Sequence, residues 1–285
     1  MIAVTGASGQ LGRLVVEQML SKVPAGQVVA AVRTPEKARE LSARGVQVRA
    51  ADYDAPETLV SAFREVDKLL LISANEVGKR APQHRAAIAA AKKAGVSLLI
   101  YTSILRADTA GSSLAQEHRA TENDVRDAGI PFVFLRNGWY LENYTEHLGP
   151  ALQHGAFLGA AKAGRIAAAA RADLAAAAAT VLTTPGHDGK VYELAGDQSF
   201  TMADLAAEVA RQAGKPVAYS DMPAKKYEET LKGMGLPAPV AEMVASADES
   251  IARGELDVAG DALRRLIGRP TETLSQAVAA GLRRG

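Results

Sequence analysis

The chain contains no cysteine. Disulfides, thiolate nucleophiles and cysteine-ligated zinc are therefore excluded, and a reducing, cytoplasmic setting is the expectation that fits. There is no surplus of charge of either sign: 33 Lys and Arg against 32 Asp and Glu leave a formal charge of +1. That balance offers no electrostatic reason for a nucleic-acid or membrane-surface partner. No apolar stretch reaches the ~18 residues of a membrane span, because a glycine or a charge interrupts each one. Met1 leads straight into a strand-like segment, with no basic stretch and apolar run ahead of it, so no secretory signal is expected. No metal site is indicated, and there is no internal repeat.

What the chain does have is length, 285 residues, and a hydrophobic fraction of 48%. That suffices for a large α/β domain with a smaller lobe. Short β-branched runs alternate with stretches of helical period through the first half. The runs are "IAVTG", "QVVAAVR", "VQVRAAD", "KLLLIS", "SLLIYTS" and "PFVFLRNG". Between them, helices are expected over 11–22, 35–44, 56–66, 81–95 and 114–129. Near-continuous apolar strands separated by helices read as a parallel sheet covered on both faces. Right-handed crossovers then give a doubly wound, Rossmann-type order. Pro35 and Pro56 sit near helix starts, and Gly95 and Gly129 just past helix ends. Residues 1–138 are read as a dinucleotide-binding domain, to which parts of 139–200 return. Residues 139–285 are read as a smaller α/β lobe on the substrate side. There "RIAAAAR", "KVYELAG" and "PVAYSD" are expected strands, and 173–184, 201–214 and 237–255 expected helices, with Asp173 and Thr201 as N-caps.

The first expected strand runs into "TGASGQLG", with glycines at 6, 9 and 12. A strand, a glycine turn and a helix N-terminus make an anion site, because backbone N–H groups and the helix dipole both favour a pyrophosphate. The spacing is G-x-x-G-x-x-G rather than G-x-G-x-x-G, so its place at the first strand of an alternating pattern matters more than the motif itself. The second strand ends in Arg33, where sites that prefer NAD carry an acid for the ribose 2′-hydroxyl. A guanidinium attracts a 2′-phosphate and can bind it through two hydrogen bonds. NADPH is therefore expected over NADH, with Lys37 as a second charge. Asp52, ending the third strand, has two readings: acceptor for the adenine amino group, or turn former.

A further absence bears on chemistry. Many reductases of this architecture deliver a proton from a Tyr with a Lys four residues later. None of the seven Tyr residues is followed by Lys at that distance. The helix where the pair would sit carries Glu117, His118 and Glu122, with Glu117 and His118 expected on a solvated face. Hydride addition to a ketone yields an alkoxide, whereas hydride addition to a quinone yields a phenolate with a pKa near ~10, a difference of about 6 units or roughly 8 kcal/mol. A site without a strong acid is thus suited to a quinone, in a flat apolar slot. No catalytic residue is assigned from the sequence.

The segments "TGASGQLG", "AAVRTPEKA", "KLLLISANEVGKRAPQH", "LLIYTSILRAD" and "FLRNGWYLENY" resemble the NmrA-like branch of the short-chain dehydrogenase/reductase superfamily. Within it they are similar to the bacterial NADPH:quinone oxidoreductases, and the likeness runs through nearly the whole chain. The resemblance implies that Gly6, Ala7, Ser8, Gly9, Gln10 and Leu11 hold the pyrophosphate and Arg33 the 2′-phosphate. It implies that Ser73, Ala74 and Asn75 line the cofactor, as do Asn137, Gly138, Trp139, Tyr140, Leu141 and Glu142, and that Arg171 reaches it. A quinone would lie against Tyr140, Asn143 and Tyr144, whose rings favour a planar substrate. The implied activity is direct two-electron hydride transfer from NADPH to a quinone. Two other readings fit the missing pair: an NADP(H)-binding redox sensor acting through a protein partner, and a triphenylmethane-dye reductase. A homodimer is compatible with the sequence.

Overall fold

The computed structural model describes residues 1–76 and 78–284. In chain order its elements are β1 (Ile2–Thr5), α1 (Gln10–Leu20), β2 (Val28–Val32), α2 (Arg39–Ala43), β3 (Gln47–Ala50), α3 (Pro56–Ala62), β4 (Lys68–Leu71), α4 (Arg80–Ala94), β5 (Leu98–Ile104), α5 (Ser113–Ala128) and β6 (Phe132–Asn137). They continue with α6 (Glu142–Thr145), α7 (Gly149–His154), β7 (Ala156–Gly159), β8 (Arg165–Ile166), α8 (Arg171–Thr183), β9 (Val191–Leu194), β10 (Phe200–Thr201), α9 (Met202–Ala213), β11 (Ala218–Asp221), α10 (Ala224–Gly233), α11 (Ala238–Ala252), α12 (Ala262–Ile267) and α13 (Leu274–Arg284).

A seven-stranded sheet has the order β3-β2-β1-β4-β5-β6-β9. Parallel pairing joins β3 to β2, β2 to β1, β1 to β4 and β4 to β5. The order through the first six strands is that of a doubly wound dinucleotide fold. Every residue of β2 is buried, as a strand covered on both faces requires. The alanine tract contributes to packing: Ala175, Ala177, Ala178 and Ala179 of α8 are buried where that helix lies on α1.

Two compact units emerge. Unit 1 comprises Met1–Ile104, Glu117–Arg136 and Arg171–Tyr192. Its core joins Phe63, Leu69, Leu71, Leu99, Tyr101 and Phe134. Unit 2 comprises Leu105–Gln116, Asn137–Ala170 and Glu193–Gly285. Its core joins Leu141, Ile166, Phe200, Leu205, Val209 and Ile251. There β7 pairs in parallel with β11, and β8 antiparallel with β10.

Several expectations change. The stretch 35–44 is a 3₁₀ turn over Pro35–Ala38 followed by the short α2. Only Arg165–Ile166 of "RIAAAAR" forms a strand; Ala169 makes an isolated bridge to Tyr140. Asp173 is not an N-cap: α8 begins at Arg171, and Asp173 is fully buried in its first turn. Thr201 does cap α9, in a reciprocal box with Asp204. The sequence does not announce α6, α7, α10, α12 or α13. In α10 only Tyr227 is buried, so it carries little of the apolar periodicity that announces a helix.

Candidate functional site

At the end of β1, Gly6 takes φ +59°, a left-handed conformation that a side chain disfavours. The Gly9 N–H donates to the Gly6 carbonyl at 2.9 Å and closes the turn. A Cβ on Gly12 would stand 2.8 Å from the Ala7 Cα, and one on Gly9 3.2 Å from the Gly6 oxygen. The turn is thus packed against the first turn of α1. Gly6, Gly9 and Gln10 are exposed, Ser8 is partly so, and Ala7 and Leu11 face the core. No side chain caps α1, and its first turn holds no acid. Exposed, uncapped N–H groups at the positive end of a helix dipole fit a pyrophosphate.

Arg33 follows β2 directly. Its side chain is 68% exposed and its nearest charged partner is Glu76, at 3.6 Å. Glu76 also holds Lys79, at 3.0 Å. Lys37 is exposed in the 3₁₀ turn. Asp52 forms a turn: its backbone N–H donates to Thr58 Oγ1 at 2.9 Å, and its Oδ1 accepts from the Asp54 N–H at 3.1 Å.

The segment after β4 is held by side chains. The Ser73 N–H donates to Thr102 Oγ1 and the Ala74 N–H to His84 Nε2, each at 2.9 Å, while Asn75 is exposed. Because Nε2 accepts, the proton of neutral His84 sits on Nδ1, which lies 2.9 Å from Thr121 Oγ1. Burial, then Arg80, lower the His84 pKa to about 3, so the ring stays neutral. The Ala74 carbonyl accepts from Arg80 Nε at 2.9 Å, and Arg80 also pairs with Glu117.

Those contacts overturn the solvated face expected for α5. Glu117 pairs with the buried Arg80, and His118 is 3% exposed with Nδ1 at 2.7 Å from the Tyr101 hydroxyl. Burial and the Arg80 charge lower the His118 pKa well below its usual value. Glu122, 1% exposed, accepts from Ser103 Oγ and from Arg136 at 2.7–2.9 Å. These α5 groups are occupied within unit 1 by architecture.

The implied residues of unit 2 begin where β6 ends. Asn137 is buried, and among the described residues its side-chain carbonyl has no hydrogen-bond partner. The Gly138 N–H donates to the Leu194 carbonyl at 2.8 Å; a Cβ there would stand 2.9 Å from that oxygen. Trp139 accepts through its carbonyl from Ala169, whose own carbonyl accepts from the Leu141 N–H. Tyr140, Glu142 and Tyr144 are partly buried, Leu141 is core, and Asn143 is exposed. Tyr144 stacks edgewise on Phe200, with ring centroids 6.2 Å apart. Arg171, partly buried, opens α8 in unit 1. Among the described residues no cluster of potential metal ligands occurs, and no helix is long and apolar enough to cross a membrane. Sequence reasoning missed His84, Glu76 and Asp248. His84 and Asp248 meet partners on other elements, and Glu76 reaches Arg33 from a different strand end besides its neighbour Lys79, so no local pattern announces the arrangement.

A family model described as NAD(P)H-binding matches residues 6–185. The chain is similar to quinone oxidoreductase 2 of Escherichia coli, 52% identical over 278 residues, which cover 98% of this chain and 97% of that one. A crystal structure of that NADPH-dependent enzyme in complex with NADPH superposes with a TM-score of 0.96, at 51% identity, covering 98% of this chain and 99% of the other. The triphenylmethane reductase of Citrobacter sp., complexed with NADP(H), gives a TM-score of 0.95 at 39% identity, covering 99% and 100%. An NmrA-like family domain-containing oxidoreductase of Aspergillus flavus is 28% identical over 277 residues, 93% of this chain and 90% of its own.

Proposed function

This chain belongs to the NAD(P)H-binding family, and from that membership we propose that it is an NADPH-dependent quinone oxidoreductase. The observation that carries the reading is the 52% identity to a quinone oxidoreductase over 98% of the chain. The geometry of the glycine turn supports the cofactor.

When bound, NADPH supplies a hydride. The protein's part is to bind and to orient. In unit 1 the turn of Gly6, Ala7, Ser8, Gly9, Gln10 and Leu11 takes the pyrophosphate, with the Gly9 amide spent on closing it, and Arg33 takes the 2′-phosphate. Asp52 accepts from the adenine, since its Oδ2 is not used in the turn interactions described above. Ser73, Ala74 and Asn75 line the cofactor, on a backbone stiffened by His84 and Thr102. Arg171 adds a cation. In unit 2 the segment Asn137–Glu142 is assigned to the cofactor, and the orphan Asn137 carbonyl supports this because it needs a donor. Tyr140, Asn143 and Tyr144 are assigned to the quinone, which needs a flat surface and an orienting polar group. Cytoplasmic location and independence of nucleic acid are supported by the cysteine-free, nearly neutral composition. A homodimer is the oligomeric state to test, by sedimentation.

The deciding experiment is steady-state oxidation of NADPH, and separately of NADH, with a simple benzoquinone. Turnover that favours NADPH is expected. Tight NADPH binding without turnover would overturn the enzyme reading and favour a redox sensor. The likeness to a triphenylmethane reductase, at 39% identity, favours one second substrate class. Cationic triphenylmethane dyes belong in the same assay.

A further inference from the structure

In unit 1 the backbone on both sides of Glu76 is tied to buried side chains. Before it, the Ala74 N–H donates to His84 Nε2 and the Ala74 carbonyl accepts from Arg80 Nε, each at 2.9 Å. After it, the Gly78 N–H donates to Glu117 Oε1 at 3.0 Å, and the Lys79 N–H donates to the Glu76 carbonyl at 3.2 Å. Arg80 joins the two sides, because it also pairs with Glu117. His84 and Arg80 are both buried. The place of Glu76 is thus set by interior groups, and its side chain has only to extend from there. That side chain faces two cations. Its Oε2 lies 3.0 Å from Lys79 Nζ, and its Oε1 lies 3.6 Å from Arg33 Nη1.

The pair with Lys79, three residues on, is local and accounts for one oxygen. It does not account for the other, which meets a guanidinium at the end of a different strand. Sites that prefer NAD carry an acid for the ribose 2′-hydroxyl at the end of the second strand. Here that position is Arg33, and the acid comes instead from the segment after β4. The two cofactors meet this arrangement differently. A 2′-phosphate that binds Arg33 has to take the guanidinium from the carboxylate or lie beside it, like charge against like charge. A 2′-hydroxyl makes no such demand. The cost of parting Arg33 from Glu76 therefore falls on NADPH alone. Specificity is a difference of two affinities, so an element that opposes one ligand sets it as much as one that attracts.

We propose that Glu76 is a specificity-determining residue, the acidic partner of Arg33 that a 2′-phosphate displaces, and that it narrows the preference for NADPH over NADH. The inference rests on the assignment of Arg33 to the 2′-phosphate above. Lys79 completes the device. It stays with the displaced carboxylate, which keeps a counter-charge when Arg33 turns to the phosphate.

The test is calorimetric measurement of the dissociation constants of NADPH and NADH on the full chain, at low ionic strength, where exposed charges are least screened. Parting an exposed ion pair changes an equilibrium constant by up to about fivefold. E76Q is expected to retain its Tm, to bind NADPH about three- to fivefold more tightly and to bind NADH no more tightly. In R33A there is no guanidinium to compete for, so adding E76Q is expected to bring little further gain. A ratio of the two constants that is unchanged in E76Q overturns the proposal, and so does weaker NADPH binding. An equal gain in the R33A background overturns it as well, since Glu76 would then act without Arg33. The two assignments fail separately. If R33A abolishes the preference for NADPH and E76Q leaves it unchanged, Glu76 alone is removed. If R33A leaves the preference intact, the phosphate is not held by Arg33 and the role of Glu76 falls with it.

Discussion

In the function proposed, Arg33 carries the choice between two cofactors on a side chain that is 68% exposed, so the expected contribution is screened and modest. A charge-assisted hydrogen bond is worth about 1.5–3 kcal/mol. R33D also turns attraction for the 2′-phosphate into repulsion. The expected result is NADPH binding weakened relative to NADH by about 2 kcal/mol, or roughly thirtyfold, in dissociation constants measured for both. Equal loss for the two cofactors would remove Arg33 from the phosphate. Arg33 can be proposed from the sequence because a strand end is a fixed place in this architecture. Glu76, which holds Arg33 and Lys79 in the protein described here, cannot. It follows a different strand, and only folding brings the two loops together.

Between strand and helix, β1 and α1 meet through glycine. The atoms around Gly12 are backbone, which cannot rotate away as a side chain could. G12A therefore forces the turn and the helix apart. Overpacking of this kind costs about 1–3 kcal/mol. Calorimetry should show Tm lowered by several degrees, and NADPH should bind more weakly because the amides move with the turn. A Tm and an affinity both unchanged would mean that α1 does not rest on the turn. This element was readable because the glycine spacing and the flanking apolar run are local. Helix α5 was readable as a helix and misread as a surface. Its Glu117, His118 and Glu122 are buried or half-buried because Arg80, Tyr101, Ser103 and Arg136 meet them from other elements. Charge in a sequence suggests solvent, yet a buried charge with a partner is also stable.

For the molecule as a whole, the neutral buried histidines couple stability to pH. The fold lowers the His84 pKa to about 3 and holds His118 well below its usual value. An unfolded chain binds protons on both rings below about 6.5, which the folded protein refuses. Their contribution is complete above that pH and is lost as pH falls from about 6.5 toward 3. The slope is at most about 1.4 kcal/mol per pH unit for each ring. Asp248 works in the opposite sense, since its raised carboxyl makes the folded state bind a proton that the unfolded one lacks between about 6 and 3.8. The net expectation is a urea midpoint that falls with pH below about 6.5, and a shallower fall in H84Q. A midpoint flat from neutral pH to about 4 would show that the two rings are not both held neutral by the fold, since Asp248 offsets only one of them.

The amino-acid order by itself determined the parallel sheet, the glycine turn and the strand ends at which a nucleotide can bind. Each rests on short-range periodicity or on the conformational freedom of glycine, and both are properties of neighbouring residues. Only the tertiary structure decided that α5 is architecture, that one oxygen of Asp52 is spent on a turn, and that 171–192 falls in the unit of the first hundred residues and 105–116 in the other. It alone brought Asp248, Tyr219 and Asp221 to three successive amides. Those outcomes depend on contacts between residues tens of positions apart, where burial and pairing rather than local preference set which polar group is stable.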